Sequence, residues 1–410
     1  MVPRDASTSS PASSCHKRST LVRRGLLWLC GLPFVASACF PSAIPLAPIR
    51  SSPSQSPVPS RSSSATTGAI QRLPVAISGA ILPAPDGSLL AGWDVENGVE
   101  RPTVALYDLE GHVRGRYNSA DGLRLNAFWF PDSSGLLIWN ILFDRTSKPG
   151  PVIVMERNGK VRSTGLEGID PAISPDRAWV AATHLGPAPD GTAVQVVAYS
   201  GGVARTVVEG ENVLFLGWEG DRIVYFARGG IYTISAMGGS ATRFVPLRPE
   251  DDITQPPVGP ISSPDNQVLI VLLNQTPYVL ARGRLRFLTD GEPGAFPLLA
   301  VASQPGLWTG PHEALGIFSP RRELVILDLL SGEVERHTGL YGIDMADAVS
   351  WPWLAWRAGA AIHVTNLETK MDLDLGEEPV GGGIFPLGEG KFLLHGNGET
   401  YLINPSLAGH

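Results

Sequence analysis

A Pro-Asp turn recurs along this chain at a near-constant interval, and no other feature restricts its architecture as much. It reads Ala84-Pro85-Asp86-Gly87, then Phe130-Pro131-Asp132-Ser133, Ser174-Pro175-Asp176 and Ser263-Pro264-Asp265. The steps between the prolines are 46, 44 and 89 residues, the last about twice the others. Pro supplies a fixed φ at the second turn position, and Gly87 suits the fourth. The missing beat is filled by Trp218-Glu219-Gly220-Asp221, and the pattern decays to Pro305-Gly306 and Trp351-Pro352. A period of this size, built from strand-like units, implies a β-propeller.

Each turn is followed by two apolar strands that form a hairpin, then a Gly-containing turn and a further strand. SLLAGWD pairs with TVALYDL, GLLIWNI with VIVMER, RIVYFAR with GIYTISA, and KFLLHG with TYLIN. Eight such hairpins occupy residues 67–410, about 43 residues each. Their Val, Ile, Leu, Tyr and Trp content favours strands. Several are apolar on both faces, as inner strands sandwiched between neighbouring blades must be. Gly and Pro number 46 and 36 of 410 residues while charged residues are 17%, which suits many short strands and tight turns. The expected fold is therefore all-β, a propeller of four-stranded antiparallel blades. Eight blades are expected, or seven if one hairpin is an insertion. The last unit lacks a fourth strand, and the segment 68–78, GAIQRLPVAIS, has strand-like residues to spare. Its first half should complete the last blade and close the ring, which hides two sheet edges.

The combination of apolar-Ser-Pro-Asp, a strand, Ile-Tyr-x-x-x-x-x-Gly-Gly and a final strand resembles the TolB-type, WD-like propeller repeat. Residues 216–245, LGWEGDRIVYFARGGIYTISAMGGSATRFV, are the best copy. The resemblance covers most of the chain after residue 67. It implies fold and little about function, because propellers host many activities.

The N-terminus reads as an address. Residues 1–24 are polar and basic and end in Arg23-Arg24; Gly25 to Ala38 is uncharged and mostly apolar. About 14 such residues is a signal-peptide core and is short for a bilayer span of roughly 20. The core closes on Ala36-Ser37-Ala38 directly before Cys39, which resembles the bacterial lipobox. The resemblance implies cleavage before Cys39 and attachment of diacylglycerol to it. An uncleaved membrane anchor and ordinary cleavage after Ala36-Ser37-Ala38 are the alternatives, and Arg23-Arg24 also resembles a twin-arginine export signal. Residues 39–66 are Ser/Pro-rich with few large apolar side chains, so they read as a disordered, extended tether. The expected organisation is a signal peptide at 1–38, a lipid-anchored tether at 39–66 and a propeller at 67–410.

Cys15, Cys30 and Cys39 are the only cysteines, so the body after Phe40 has neither disulfide nor thiolate metal site. The net charge is −7, and about −11 once the basic residues 1–38 are set aside, which argues against nucleic acid as a partner.

Candidate chemistry is sparse. There is no G-x-S-x-G elbow, and no residues remain for a hydrolase domain. His312-Glu313 begins like H-E-x-x-H but lacks the second histidine. Gly383 to Lys391 faintly suggests a phosphate loop, yet Glu389 stands where a Lys is needed; it reads as a Gly-rich loop between the last two blades. Leu327 to Val334 resembles one quinoprotein repeat, with Arg336 and His337 where a docking Trp would follow. Asp94 to Gly98 and Asp372-Leu373-Asp374 offer oxygens to calcium without a full ligand set. Trp351, Trp353 and Trp356 crowd one unit; Trp351 and Trp353 should share a strand face, as a stacking platform or as core between blades. No catalytic, cofactor or metal residue is assigned, and Cys39 alone is assigned, to lipid. The expectation is a monomeric, exported binding or scaffolding module on the outer face of a bacterial envelope, holding a protein, peptide or glycan. A propeller enzyme, a glycan hydrolase or lyase acting at the channel mouth, is the rival.

Overall fold

The structure, a computed structural model, describes residues 69–407 apart from 97–98, 142–148, 187–190, 228, 245–257, 274–275, 288–294, 298–306, 319–321, 342, 344–345 and 379. Cys39, the segments 1–38 and 39–66 expected to be signal and tether, and Pro305-Gly306 lie outside the described residues.

Eight sheets of four antiparallel strands succeed one another, so the count is eight and not seven. The first blade comprises Ile81–Pro83, Leu89–Glu96, Val99–Asp108 and Val113–Asn118. The second to seventh span 125–167, 169–211, 214–243, 258–287, 295–341 and 346–377. The eighth takes Gly383–Gly388, Lys391–Gly396 and Glu399–Ile403 from the end of the chain, and its fourth strand, Ile70–Arg72, from the beginning. Ile70 lies opposite Ile403 and Arg72 opposite Tyr401, so the ring closes as the sequence implies.

The first strands of successive blades lie against one another around the central channel. Antiparallel order then gives the ring two different faces. One, the turn face, carries the turns between first and second strands and those between third and fourth. The other, the hairpin face, carries the second-to-third hairpins and the connections between blades.

The core lies between blades. Phe130, Leu137, Val152 and Val154 of the second blade meet Ile173, Val180 and Val197 of the third, and comparable clusters fill the other gaps. Leu136, Leu137 and Ile138 are consecutive and all fully buried. Alternation sends them to two different neighbours, which is why this strand is apolar on both faces. Each such side chain contributes about 2 kcal/mol.

The Pro-Asp turns are one structure repeated. In each, the first residue's N–H bonds the strand beyond the turn and its carbonyl accepts from the fourth residue: Gly87 to Ala84 (2.8 Å), Ser133 to Phe130 (2.9 Å), Arg177 to Ser174 (2.9 Å) and Asn266 to Ser263 (2.9 Å). The fourth residue is left-handed in all four, at φ +68° for Gly87, +62° for Ser133, +57° for Arg177 and +55° for Asn266. Gly383 to Lys391 proves to be the eighth blade's first strand and a two-residue turn, across which Gly388 pairs with Lys391, and Lys391 is 3.0 Å from Glu389. It is not a loop between blades.

The turn aspartate explains the repeat. Its Oδ1 accepts from its own turn, as Asp86 does from Ser88 N (3.0 Å) and Asp265 from Gln267 N (3.1 Å). In three of these turns the Oδ2 faces a basic side chain of the next blade: Asp86 with Arg157 at 2.5 Å, Asp132 with Arg177, and Asp265 with His312 Nδ1 at 3.0 Å. In the fourth blade Glu219 takes this place and accepts from Gly283 N of the fifth at 2.6 Å. These pairs are partly open to water, so each contributes about 0.2–1 kcal/mol and specifies alignment more than stability. Tryptophans act likewise: Trp129 Nε1 donates to Leu82 O (2.8 Å) and Trp218 Nε1 to Ala172 O (3.1 Å), each reaching the first strand of the preceding blade.

Candidate functional site on the seventh blade

The unit that departs furthest from the Pro-Asp pattern carries the densest polar chemistry. Asp347 lies on the first strand of the seventh blade, Ala346–Ser350, where the register shifts between Ala346 and Ala348. Such bulges re-aim a side chain. Asp347 is 8% exposed, and its Oδ1 accepts from Arg357 Nη1 at 2.5 Å. Arg357 also grips Glu378, Nε to Oε2 at 3.2 Å and Nη2 to Oε1 at 3.1 Å, and donates to Gly382 O. Glu378 Oε1 accepts from Gly382 N (3.1 Å), so the cluster ties the seventh blade to the connection leading into the eighth. Asp347 Oδ2 and Ser350 Oγ are buried without a hydrogen-bond partner among the described residues. Burial pushes the Asp347 carboxyl up to about 6; Arg357 opposes the rise and Glu378 adds to it.

Across the ring, Asp170 occupies a bulge in the third blade's first strand, with φ +49°. Its side chain is solvent-exposed, yet the surrounding protein raises its carboxyl above the ordinary value.

A second polar group sits on the face of the seventh blade that meets the sixth. Trp356 stacks on His363 at 4.4 Å between ring centroids, and its Nε1 donates to Thr365 Oγ1 at 2.8 Å. Thr365 Oγ1 donates to Asp372 Oδ1 (2.6 Å), and Asp372 Oδ2 faces His363 Nδ1 (3.1 Å). The carboxylate favours the tautomer with the proton on Nδ1, leaving Nε2 as an acceptor.

The three tryptophans do not form one platform. Trp351 lies in the turn, not the strand, with Arg336 of the sixth blade 4.7 Å above its ring. Trp356 packs on the same side, whereas Trp353 is buried toward the eighth blade against Phe392 and Ile403. Trp351 and Trp353 thus sit on opposite sides of the blade, because the turn between Ser350 and Trp353 breaks the alternation that would have aligned them.

The remaining candidates are absorbed into the frame. His312 latches Asp265, with Nε2 3.8 Å from Asp328. Leu327 to Val334 is the end of one strand, a turn and the start of the next, and Arg286 of the fifth blade donates to its Leu329 and Leu330 carbonyls at 2.6 and 2.7 Å. Asp372 is engaged by His363 and Thr365, and Asp374 accepts from Gly376 N at 2.9 Å. The Asp94 to Gly98 hairpin includes undescribed residues. His395 is buried between Thr400 Oγ1 (2.9 Å) and Gly79 O (2.7 Å), which pins the N-terminal segment to the eighth blade. Asp347, Arg357, Glu378 and Asp170 were not singled out by sequence. An acid in an otherwise apolar first strand, as in Ala346-Asp347-Ala348-Val349, is the signal that could have found Asp347.

No protein-family model and no curated protein matches the sequence. Solved structures do. The C-terminal WD40 domain of Sif2 is 12% identical at a TM-score of 0.50, covering 81% of this chain and 96% of that one. BamB from Moraxella catarrhalis is 14% identical at 0.42, covering 81% and 95%. TolB from Acinetobacter baumannii is 13% identical at 0.32, covering 75% and 65%. At such identities the likeness is one of fold, and in fold this chain is a WD-like β-propeller with eight blades.

Proposed function

We propose that this propeller is a non-catalytic binding or scaffolding module, exported and held at the outer face of a bacterial cell membrane through Cys39, where it engages a protein, peptide or glycan. The observation that carries the binding role is how the polar groups of the turn face are used. Asp86, Asp132, Asp265 and Glu219 each reach from one blade to the next, building a frame that holds exposed turn side chains in fixed positions. The export reading rests on the apolar core before Ala36-Ser37-Ala38-Cys39 and the Ser/Pro-rich stretch after it. Two measurements test it. Fatty-acid labelling and membrane fractionation should differ between the native chain and Cys39→Ser; identical membrane retention without label in both would refute the anchor. Crosslinking in intact cells, followed by purification from membranes, should recover a specific partner, and recovery of the propeller alone would count against scaffolding.

A second reading is favoured by Asp347. A buried carboxyl raised to about 6, beside an arginine and a second carboxylate, has the make-up of an acid for glycan hydrolysis or lysis. Turnover of a glycan panel, abolished by Asp347→Asn, would establish that reading; no turnover would remove it.

A further inference from the structure

Among the described residues, five of the seven exposed large apolar side chains share one recurring position of the ring, Phe128 and Tyr341 lying elsewhere. Val113, Val203, Met237, Met371 and Leu407 are all exposed, Val203 at 94% and Met237 at 68%. Val113 opens the first blade's fourth strand, and Val203, Met237 and Met371 lie in the third-to-fourth-strand turns of the third, fourth and seventh blades. Leu407 follows the third strand of the eighth. All five therefore lie at the outer rim of the turn face.

The chain enters the ring at that same position. Within the third-to-fourth-strand turns a backbone bond recurs, from Asp108 N to His112 O (3.0 Å), Glu156 N to Lys160 O (2.8 Å) and Asn366 N to Met371 O (2.8 Å). In the eighth blade it runs from Asn404 N to Ala69 O at 2.8 Å. Ala69 thus stands where His112, Lys160 and Met371 stand, and the segment leading back to Cys39 leaves from the rim that bears the apolar side chains.

We propose that the turn face is a membrane-docking surface, its occupant a phospholipid bilayer into whose interfacial layer the rim side chains dip. The proposal rests on the anchored reading above for its cellular setting. Side chains spread around a rim suit a flat, yielding surface better than a shaped protein partner, which would need a contiguous patch. The blades without an apolar residue at this turn include the second, with Lys160 beside the Asp86-latched Arg157, and the fifth, with Arg282 and Arg284; Lys160, Arg282 and Arg284 suit lipid phosphates. Glu110 and Glu368 lie at neighbouring turns, so the surface is mixed in sign and neutral phosphatidylcholine should suffice. The hairpin face, with Asp347 and Glu378 toward it, would then point away from the membrane.

The test uses the full chain with Cys15, Cys30 and Cys39 changed to Ser, since no other cysteine exists. A polarity-sensitive fluorophore is attached through Val203→Cys or Met237→Cys on the turn face, or Tyr341→Cys on the hairpin face. With phosphatidylcholine vesicles, the two turn-face probes should shift to the blue and be quenched by spin-labelled lipid, while the Tyr341→Cys probe stays unchanged. Changing Val203 and Met237 to Ser should lower the immersed fraction of a Val113→Cys probe about tenfold. Equal responses on both faces, no response on either, or a response that needs added envelope protein would overturn the proposal, the last by assigning the surface to a protein. Absence of acylation at Cys39 in cells would sink the anchor alone, because the vesicle experiment proceeds without that cysteine.

Discussion

Gly87 and Gly220 both lie in the turn between first and second strands, in the first and fourth blades, at nearly the same left-handed φ, +68° and +59°. They differ in what surrounds them. A Cβ on Gly87 would lie 1.9 Å from the backbone oxygen of Leu387 in the eighth blade, whereas a Cβ on Gly220 meets nothing within 4 Å. Left-handed φ alone costs an alanine about 1–2 kcal/mol, partly offset by the lower entropy of the unfolded chain. The ring tolerates that cost, since Ser133, Arg177, Asn266 and Glu389 adopt the same conformation. Gly220→Ala should therefore cost about 1 kcal/mol or less. Gly87→Ala must also move two backbones apart by more than about 1 Å at the joint where the ring closes, adding roughly 2–3 kcal/mol of the kind seen in overpacked cores. The expected difference between the variants is about 2 kcal/mol. Urea unfolding followed by the fluorescence of the 10 tryptophans measures it, with a thermal scan as a second probe. Equal destabilisation of both variants, within about 0.5 kcal/mol, would refute the argument that close approach of the first and eighth blades, and not φ, demands glycine at 87.

Other outcomes follow from the same geometry. Asp347 binds its proton more tightly folded than unfolded, so stability should fall by about 3 kcal/mol as pH rises from 3.8 toward 6, and Asp347→Asn should flatten that slope when urea midpoints are compared between pH 4 and 7. Ser133→Ala leaves the Asp86 N–H without its acceptor, now 2.9 Å away on a fully buried residue, and should cost about 1 kcal/mol in urea titration. Arg157→Met breaks a latch that is half open to water and should change stability by less than about 1 kcal/mol, with a coupling to Asp86→Asn of similar size in a double-mutant cycle. Leu137→Ala opens a cavity between the second and third blades and should cost about 2–5 kcal/mol in the same assay.

Local chemistry carried the fold in this sequence. A Pro-Asp turn needs only its own four residues, and a strand apolar on both faces declares burial between two sheets, so blades, hairpins and ring closure by residues 68–78 were all legible. In Gly383 to Lys391 the glycines hide a strand, because they interrupt the apolar run of Ile384, Phe385 and Leu387. The tryptophan platform failed for a related reason: alternation along a strand cannot be carried through the turn at Trp351-Pro352.

The candidate site was far less legible. Asp347, Arg357 and Glu378 are separated by 10 and 21 residues and meet only because a bulge, a second strand and the connection into the eighth blade converge. Likewise, nothing local distinguishes an aspartate that merely shapes its turn from one whose second oxygen meets the arginine of the next blade. By itself the sequence determined the repeating unit and left seven or eight copies of it open, because each unit is written in contiguous residues. Tertiary structure alone decided which carboxylates are buried, which turns latch to a neighbour, and that the chain enters the ring on the same rim as its exposed apolar side chains. Those are properties of how blades are arranged around a circle, and they come from contacts between residues far apart in the chain.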